Sequence, residues 1–252
     1  MDDQAAPCPP GRIWAFLGLV TLISLPFWLL ARGQILPGLP VAALMVLCPA
    51  AAALALTAYD QGADGVRRLL ARILDVQVMS GRSWLIPVLP FLVAILVFLI
   101  LRAAGAQVPN PSVTAQGLAL LLVLFLPGAV AEELGWTGYA MPPLTARFGT
   151  FGGGVLLGLV WAFWHYPALI AVGRAPAWIA WWTLGTVAMR LIMVQACRHA
   201  GLGLAGAILF HAASNLAWQL FPVQGSWFDP RLHGLLMAAS ALVLSAAWRR
   251  RA

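Results

Sequence analysis

Residues 115–139 read AQGLALLLVLFLPGAVAEELGWTGY. Between 115 and 131 the only polar side chain is Gln116; then Glu132 and Glu133 stand side by side. A helix that crosses bilayer hydrocarbon needs about 20 mostly apolar residues. This run therefore reads as a membrane span with two carboxylates inside it. Ionisable groups at that depth are costly, and they face a cavity or one another. The alternative is a helix that surfaces early and lets both carboxylates reach water.

The rest of the chain agrees with a membrane setting. It has 252 residues, 62% hydrophobic and 9% charged, and a mean hydropathy of +0.89. A soluble domain carries about 25% charged residues. That excludes a soluble enzyme, a nucleic-acid-binding module and a disordered chain. The net charge is +7, supplied by arginines alone, since the sequence holds no lysine. They lie mainly between apolar runs, which is the pattern that orients a polytopic membrane protein and not a nucleic-acid binder.

Eight segments are long and apolar enough to span: roughly 13–30, 36–58, 84–101, 115–139, 150–172, 177–197, 202–221 and 232–248. The expected fold is all-α, about eight transmembrane helices in a single domain over 1–252, with its chemistry in 115–221. The first run reads as a retained anchor. Residues 65–78, with Arg67, Arg68 and Arg72 beside Leu69, Leu70, Ile73 and Leu74, read as a short amphipathic helix on the membrane surface. With eight spans, ten arginines fall on the side of both termini and four on the other. That asymmetry places both termini in the cytoplasm of a cell-membrane protein. Cys8, Cys48 and Cys197 are widely spaced and read as packing residues.

Polar residues inside spans mark the candidate site. The other six acidic residues, Asp2, Asp3, Asp60, Asp64, Asp75 and Asp229, all lie in tails or loops. The fifth span holds His165 in WAFWH (161–165), and the seventh holds HAASN (211–215). His211 and Asn215, four apart, share one helix face and can donate to one point. Each alone is as well explained by hydrogen bonding between helices. His199 and His233 read as solvated, next to loop arginines. The 12 tryptophans read as interfacial anchors or packing residues. Gly152, Gly153, Gly154 and Gly158 read as a stripe for close helix approach.

Together these residues resemble the CPBP family, the CAAX-protease and bacteriocin-processing membrane proteins, which includes the type II CAAX prenyl proteases. Glu132 and Glu133 resemble its first motif, two glutamates followed after three residues by an arginine. Trp161 and His165 resemble the second motif, an aromatic four residues before a histidine; His211 and Asn215 resemble the third. Two positions depart from the pattern: Thr137 stands where the family has arginine, and Trp161 where it usually has phenylalanine.

The resemblance implies an intramembrane endopeptidase acting on a membrane-associated or hydrophobic peptide or protein substrate. Glu132 would be the general base, assisted by His165. His211 and Asn215 would stabilise the oxyanion, and Glu133 would orient its neighbours. No Ser-His-Asp triad is possible, because no aspartate lies within a span. A metal reading stands beside it: Glu132, His165 and His211 as ligands of a divalent ion such as zinc. Two other classes compete: a non-catalytic relative that confers bacteriocin immunity or binds a partner, and a proton-relay transporter. Arg190 is the only cation within a span, at a depth close to that of Glu133. It is expected to replace the missing arginine, or else to snorkel to the interface.

Overall fold

The computed structural model of the chain describes residues 11–36, 39–74 and 81–250. Its helices are α1 (Arg12–Leu29), α2 (Cys48–Ala71), α3 (Leu89–Ala103), α4 (Ala115–Glu133), α5 (Met141–Ala171), α6 (Pro176–His199), α7 (Gly203–Leu220) and α8 (Pro230–Arg249). A short antiparallel ribbon of β1 (Gln34–Leu36) and β2 (Leu39–Pro40) is the one sheet among the described residues. The protein is an all-α, polytopic membrane protein.

Among the described residues six helical stretches, not eight, are long and apolar enough to cross a membrane. Two expected spans run together, because helical structure continues from Ala115 to Ala171. The expected seventh span is α7, whose 18 residues include His211, Ser214, Asn215 and Gln219. That polar content keeps it out of the set, although it is one of the most buried helices. The second span also starts later than its apolar run. Pro40 is extended (φ −69, ψ 151), and a 3-10 helix over Val41–Leu47 leads into α2. Of the amphipathic segment, Gly65 to Ala71 end α2 beyond a bend at Gly62, and Arg72–Leu74 form a 3-10 turn. Arg67 and Arg68 face out while Leu69 is buried. Residues 75–78 lie outside the described residues, as do Asp2, Asp3, Cys8 and Arg251.

Glu133 leads directly into a π-helix, Leu134–Ala140, all seven residues of which are buried. A π-turn spreads its hydrogen bonds to i→i+5 and is often found at functional sites. Here it is locked from outside. The Arg72 guanidinium donates to the Gly138 carbonyl at 2.9 Å. Phe16 of α1 packs against Trp136 and Tyr139, with ring centroids 5.6 and 5.1 Å apart. Gly135 abuts the first turn of α2, where a Cβ would lie 2.5 Å from the Pro49 carbonyl oxygen.

Past the π-turn, α5 bends at Gly149 (φ 70, ψ 169), a conformation that side chains with a Cβ avoid. The helical turns of 141–148 therefore precede the span proper. α6 lies between α5 and α8. The glycine stripe lets α5 approach α6 closely: a Cβ on Gly158 would stand 2.9 Å from the Val187 Cα. Ser245 of α8 donates to Gln195 of α6 at 2.7 Å. One end of the bundle gathers both terminal helix ends: Arg12 pairs with Asp60, Arg249 lies over Phe151, and His199 stacks on Trp248. At the other end the Asp229 carboxylate caps α8 through the amides of Arg231 and Leu232. Partial burial raises the Asp229 pKa, but the Arg231 guanidinium and the two amides outweigh it and hold the carboxyl below its usual range.

Gly135→Ala is expected to destabilise the fold by about 1–3 kcal/mol, because neither Pro49 nor the π-turn can retreat cheaply. Gly18→Ala, in α1 with nothing within 4 Å of the new Cβ, is expected to be neutral or stabilising by up to about 1 kcal/mol. Thermal unfolding of both variants in the same detergent checks the contrast.

Candidate active site

A cavity of about 420 Å³ opens inside the bundle, and Glu132, His165, His211, Ser214 and Asn215 are among the residues that line it. Four helices deliver these groups: α4 ends at Glu132 and Glu133, α5 brings Trp161 and His165, α6 brings Arg190, and α7 brings His211 and Asn215. Depth along α5 alone would set His165 well beyond Glu132. The bend at Gly149 and the turns before it absorb the difference, and the Trp161 indole donates to Glu132 Oε2 at 2.7 Å.

Behind the cavity wall lies a second layer. Glu133 and Arg190 are both fully buried and neither lines the cavity. The Arg190 guanidinium donates to Glu133 Oε2 at 2.6 Å and to Oε1 at 2.9 Å. The Thr137 hydroxyl donates to Oε2 at 2.5 Å and itself accepts from Arg190 at 3.1 Å. His211 Nδ1 stands 2.8 Å from Oε1. Four donors thus fill the two oxygens of one carboxylate, the arrangement that favours its ionised form. The motif threonine is part of this layer, and its cation comes from α6.

Trp161 sits between the two layers. Its N–H faces Glu132, the Arg190 guanidinium lies over its ring at 4.3 Å, and its edges meet His165 and His211 at centroid distances of 5.6 and 5.0 Å. His165 is enclosed by three indoles, with Trp164 at 4.8 Å and Trp182 at 5.4 Å completing the set.

Part of the chain is similar to known proteins. Residues 114–217 match the family described as type II CAAX prenyl endopeptidase Rce1-like. Through these residues, about two fifths of its length, the chain is similar to that family. CAAX prenyl protease 2 of Methanococcus maripaludis is 28% identical over 132 residues, which cover 49% of each chain. The chain therefore spans about half the length of the curated relative that it matches.

In this core the hydrogen bonds fix which nitrogens carry protons. A carboxylate and a carbonyl can only accept. His211 Nδ1 thus holds its proton toward Glu133. His165 Nδ1 holds its own toward the Trp161 carbonyl at 2.8 Å. On both rings Nε2 is the nitrogen left over. Glu132 keeps Oε1 without a protein partner, and the Asn215 amide makes no hydrogen bond among the described residues. Metal ligation would require Glu132, His165 and His211 to close on one point. Among the described residues no group of three His, Cys, Asp or Glu side chains is gathered to hold an ion.

Three cavity residues were not singled out by sequence reasoning. Ser214 was hidden inside the third motif, and Trp182 among many tryptophans. His233 was expected to be solvated; instead it lines the cavity, against Phe228 at 4.9 Å. The cause is the start of α8 at Pro230, which turns position 233 inward. His199 is exposed, as expected.

Arg190→Met would leave the Glu133 carboxylate buried without its charge partner, a loss of about 3–5 kcal/mol. Adding Glu133→Gln removes that charge and is expected to recover part of the loss. Unfolding of the two variants checks it; equal stability of single and double variants would count against the pair as the anchor.

Proposed function

We propose that the chain is an intramembrane endopeptidase that hydrolyses a peptide bond of a membrane-associated or hydrophobic substrate. The observation that carries this reading is the convergence of Glu132, His165, His211 and Asn215 on one cavity, against a buried layer that fixes their orientation.

Glu132, through Oε1, takes a proton from water as the water oxygen attacks the scissile carbonyl carbon. His165 Nε2 accepts from the same water and orients it. The tetrahedral oxyanion is held by the Asn215 amide and by His211 Nε2. Because Nδ1 of His211 is committed to Glu133, Nε2 donates only when the ring carries both protons. The oxyanion role therefore requires an imidazolium, whose charge is balanced by Glu132 and, after proton transfer, by the oxyanion, since Arg190 already neutralises Glu133. Collapse of the intermediate breaks the C–N bond, and the leaving amine takes up the proton held by Glu132. Glu133, Thr137 and Arg190 touch neither substrate nor water in this scheme; they are positioning residues.

The alternative, a non-catalytic relative that binds a partner, draws on Thr137 as a mark of lost chemistry. The Arg190 contact with Glu133 and Thr137 weighs against that. In our reading the protein is multi-pass in the cell membrane, with both termini cytoplasmic, as the arginine asymmetry supports. The similarity to CAAX prenyl protease 2 of Methanococcus maripaludis makes a prenylated peptide the first substrate to try.

Incubation of the protein in nanodiscs with hydrophobic and prenylated peptides, read by mass spectrometry, tests the reading. Glu132→Gln is expected to abolish cleavage while the protein still folds, since an amide keeps the shape but is no base. Undiminished cleavage by this variant would remove Glu132 as the base. Activity is expected to withstand EDTA; loss on chelation with recovery in zinc would favour the metal reading instead. Trp161→Phe keeps the ring but not the N–H, and is expected to lower kcat about tenfold with KM little changed.

A further inference from the structure

The cavity holds a histidine that the hydrolytic scheme does not use. His233 lines it together with Glu132, His165 and Trp182. It enters where α8 packs on α6: a Cβ on Gly185 would lie 2.9 Å from its Nδ1. The His165 ring meets Trp182, three residues from Gly185 on α6, at a centroid distance of 5.4 Å. His233 and the reactive histidine therefore face one cavity within about one turn of α6.

The surrounding wall is mostly apolar, with Phe125, Gly128 and Met189, and Thr186 and Trp218 also line it. His233 adds an imidazole to this wall. Its backbone N–H bonds to the Asp229 carbonyl at 3.1 Å, but its ring makes no hydrogen bond among the described residues. Its contacts there are the Phe228 ring and the glycine face of α6. A polar group set in an apolar cavity without a partner is costly, unless a ligand supplies the partner. A neutral imidazole offers one donor and one acceptor, which an amide side chain matches.

We infer that His233 is a specificity-determining residue. It hydrogen-bonds a single polar side chain, amide-like in its donor and acceptor, of an otherwise apolar peptide. This rests on the endopeptidase reading for the peptide as ligand, but its test reads binding without turnover. The probes are alanine- and leucine-rich peptides in which one asparagine is moved position by position, titrated onto the Glu132→Gln protein in nanodiscs. One asparagine position is expected to bind about tenfold more tightly than the all-apolar peptide. His233→Leu on the same background is expected to erase that preference, and His233→Gln to keep most of it. No positional preference, or one that survives His233→Leu, overturns the inference. Incubation of the same peptides with the unaltered protein reports separately on proteolysis. A preference in binding with no cleavage would refute the endopeptidase and leave the His233 site standing.

Discussion

The Glu133 carboxylate is the constraint from which the site is built. It is fully buried, and an ionised carboxylate in an apolar interior is tolerable only when its charge is balanced and its lone pairs are filled. Here the balance comes from three elements at once. Arg190 reaches in from α6, Thr137 comes from the π-turn next in sequence, and His211 comes from α7. Satisfying one carboxylate therefore fixes three elements relative to α4, and sets the face that His211 turns toward the cavity.

The same requirement accounts for the local backbone. The π-turn after Glu133 keeps Thr137 within reach of its own carboxylate while both glutamates stay in the interior. Its glycines let α2 and the side chains of Leu69 and Leu204 close over it. Trp161 then links the buried layer to the working one, since one ring contacts Arg190, Glu132 and both histidines. A phenylalanine there would keep the stacking and lose the bond to Glu132.

Much of this was legible in the sequence, because hydrocarbon makes polar residues conspicuous. Glu132, Glu133, His165, His211 and Asn215 stood out for that reason, and Arg190 as the only cation within a span. The family likeness and the all-α, multi-pass architecture followed from the same residues. What escaped has physical causes. A π-turn breaks the 3.6-residue period without leaving a compositional mark, so spans four and five seemed separate. The bend at Gly149 concealed why His165 and Glu132 reach one depth. α7 is too polar to register as a span because it carries the site. His233, one turn inside its helix and two residues from Arg231, looked like a loop residue.

The central claim is that the cation balancing Glu133 has moved from the motif position to α6. Transplanting it back tests this most directly. Arg190→Ala should lose peptide cleavage, and Arg190→Ala combined with Thr137→Arg should regain a substantial part of it, with matching recovery of thermal stability. Unchanged cleavage and stability in Arg190→Ala would contradict the account.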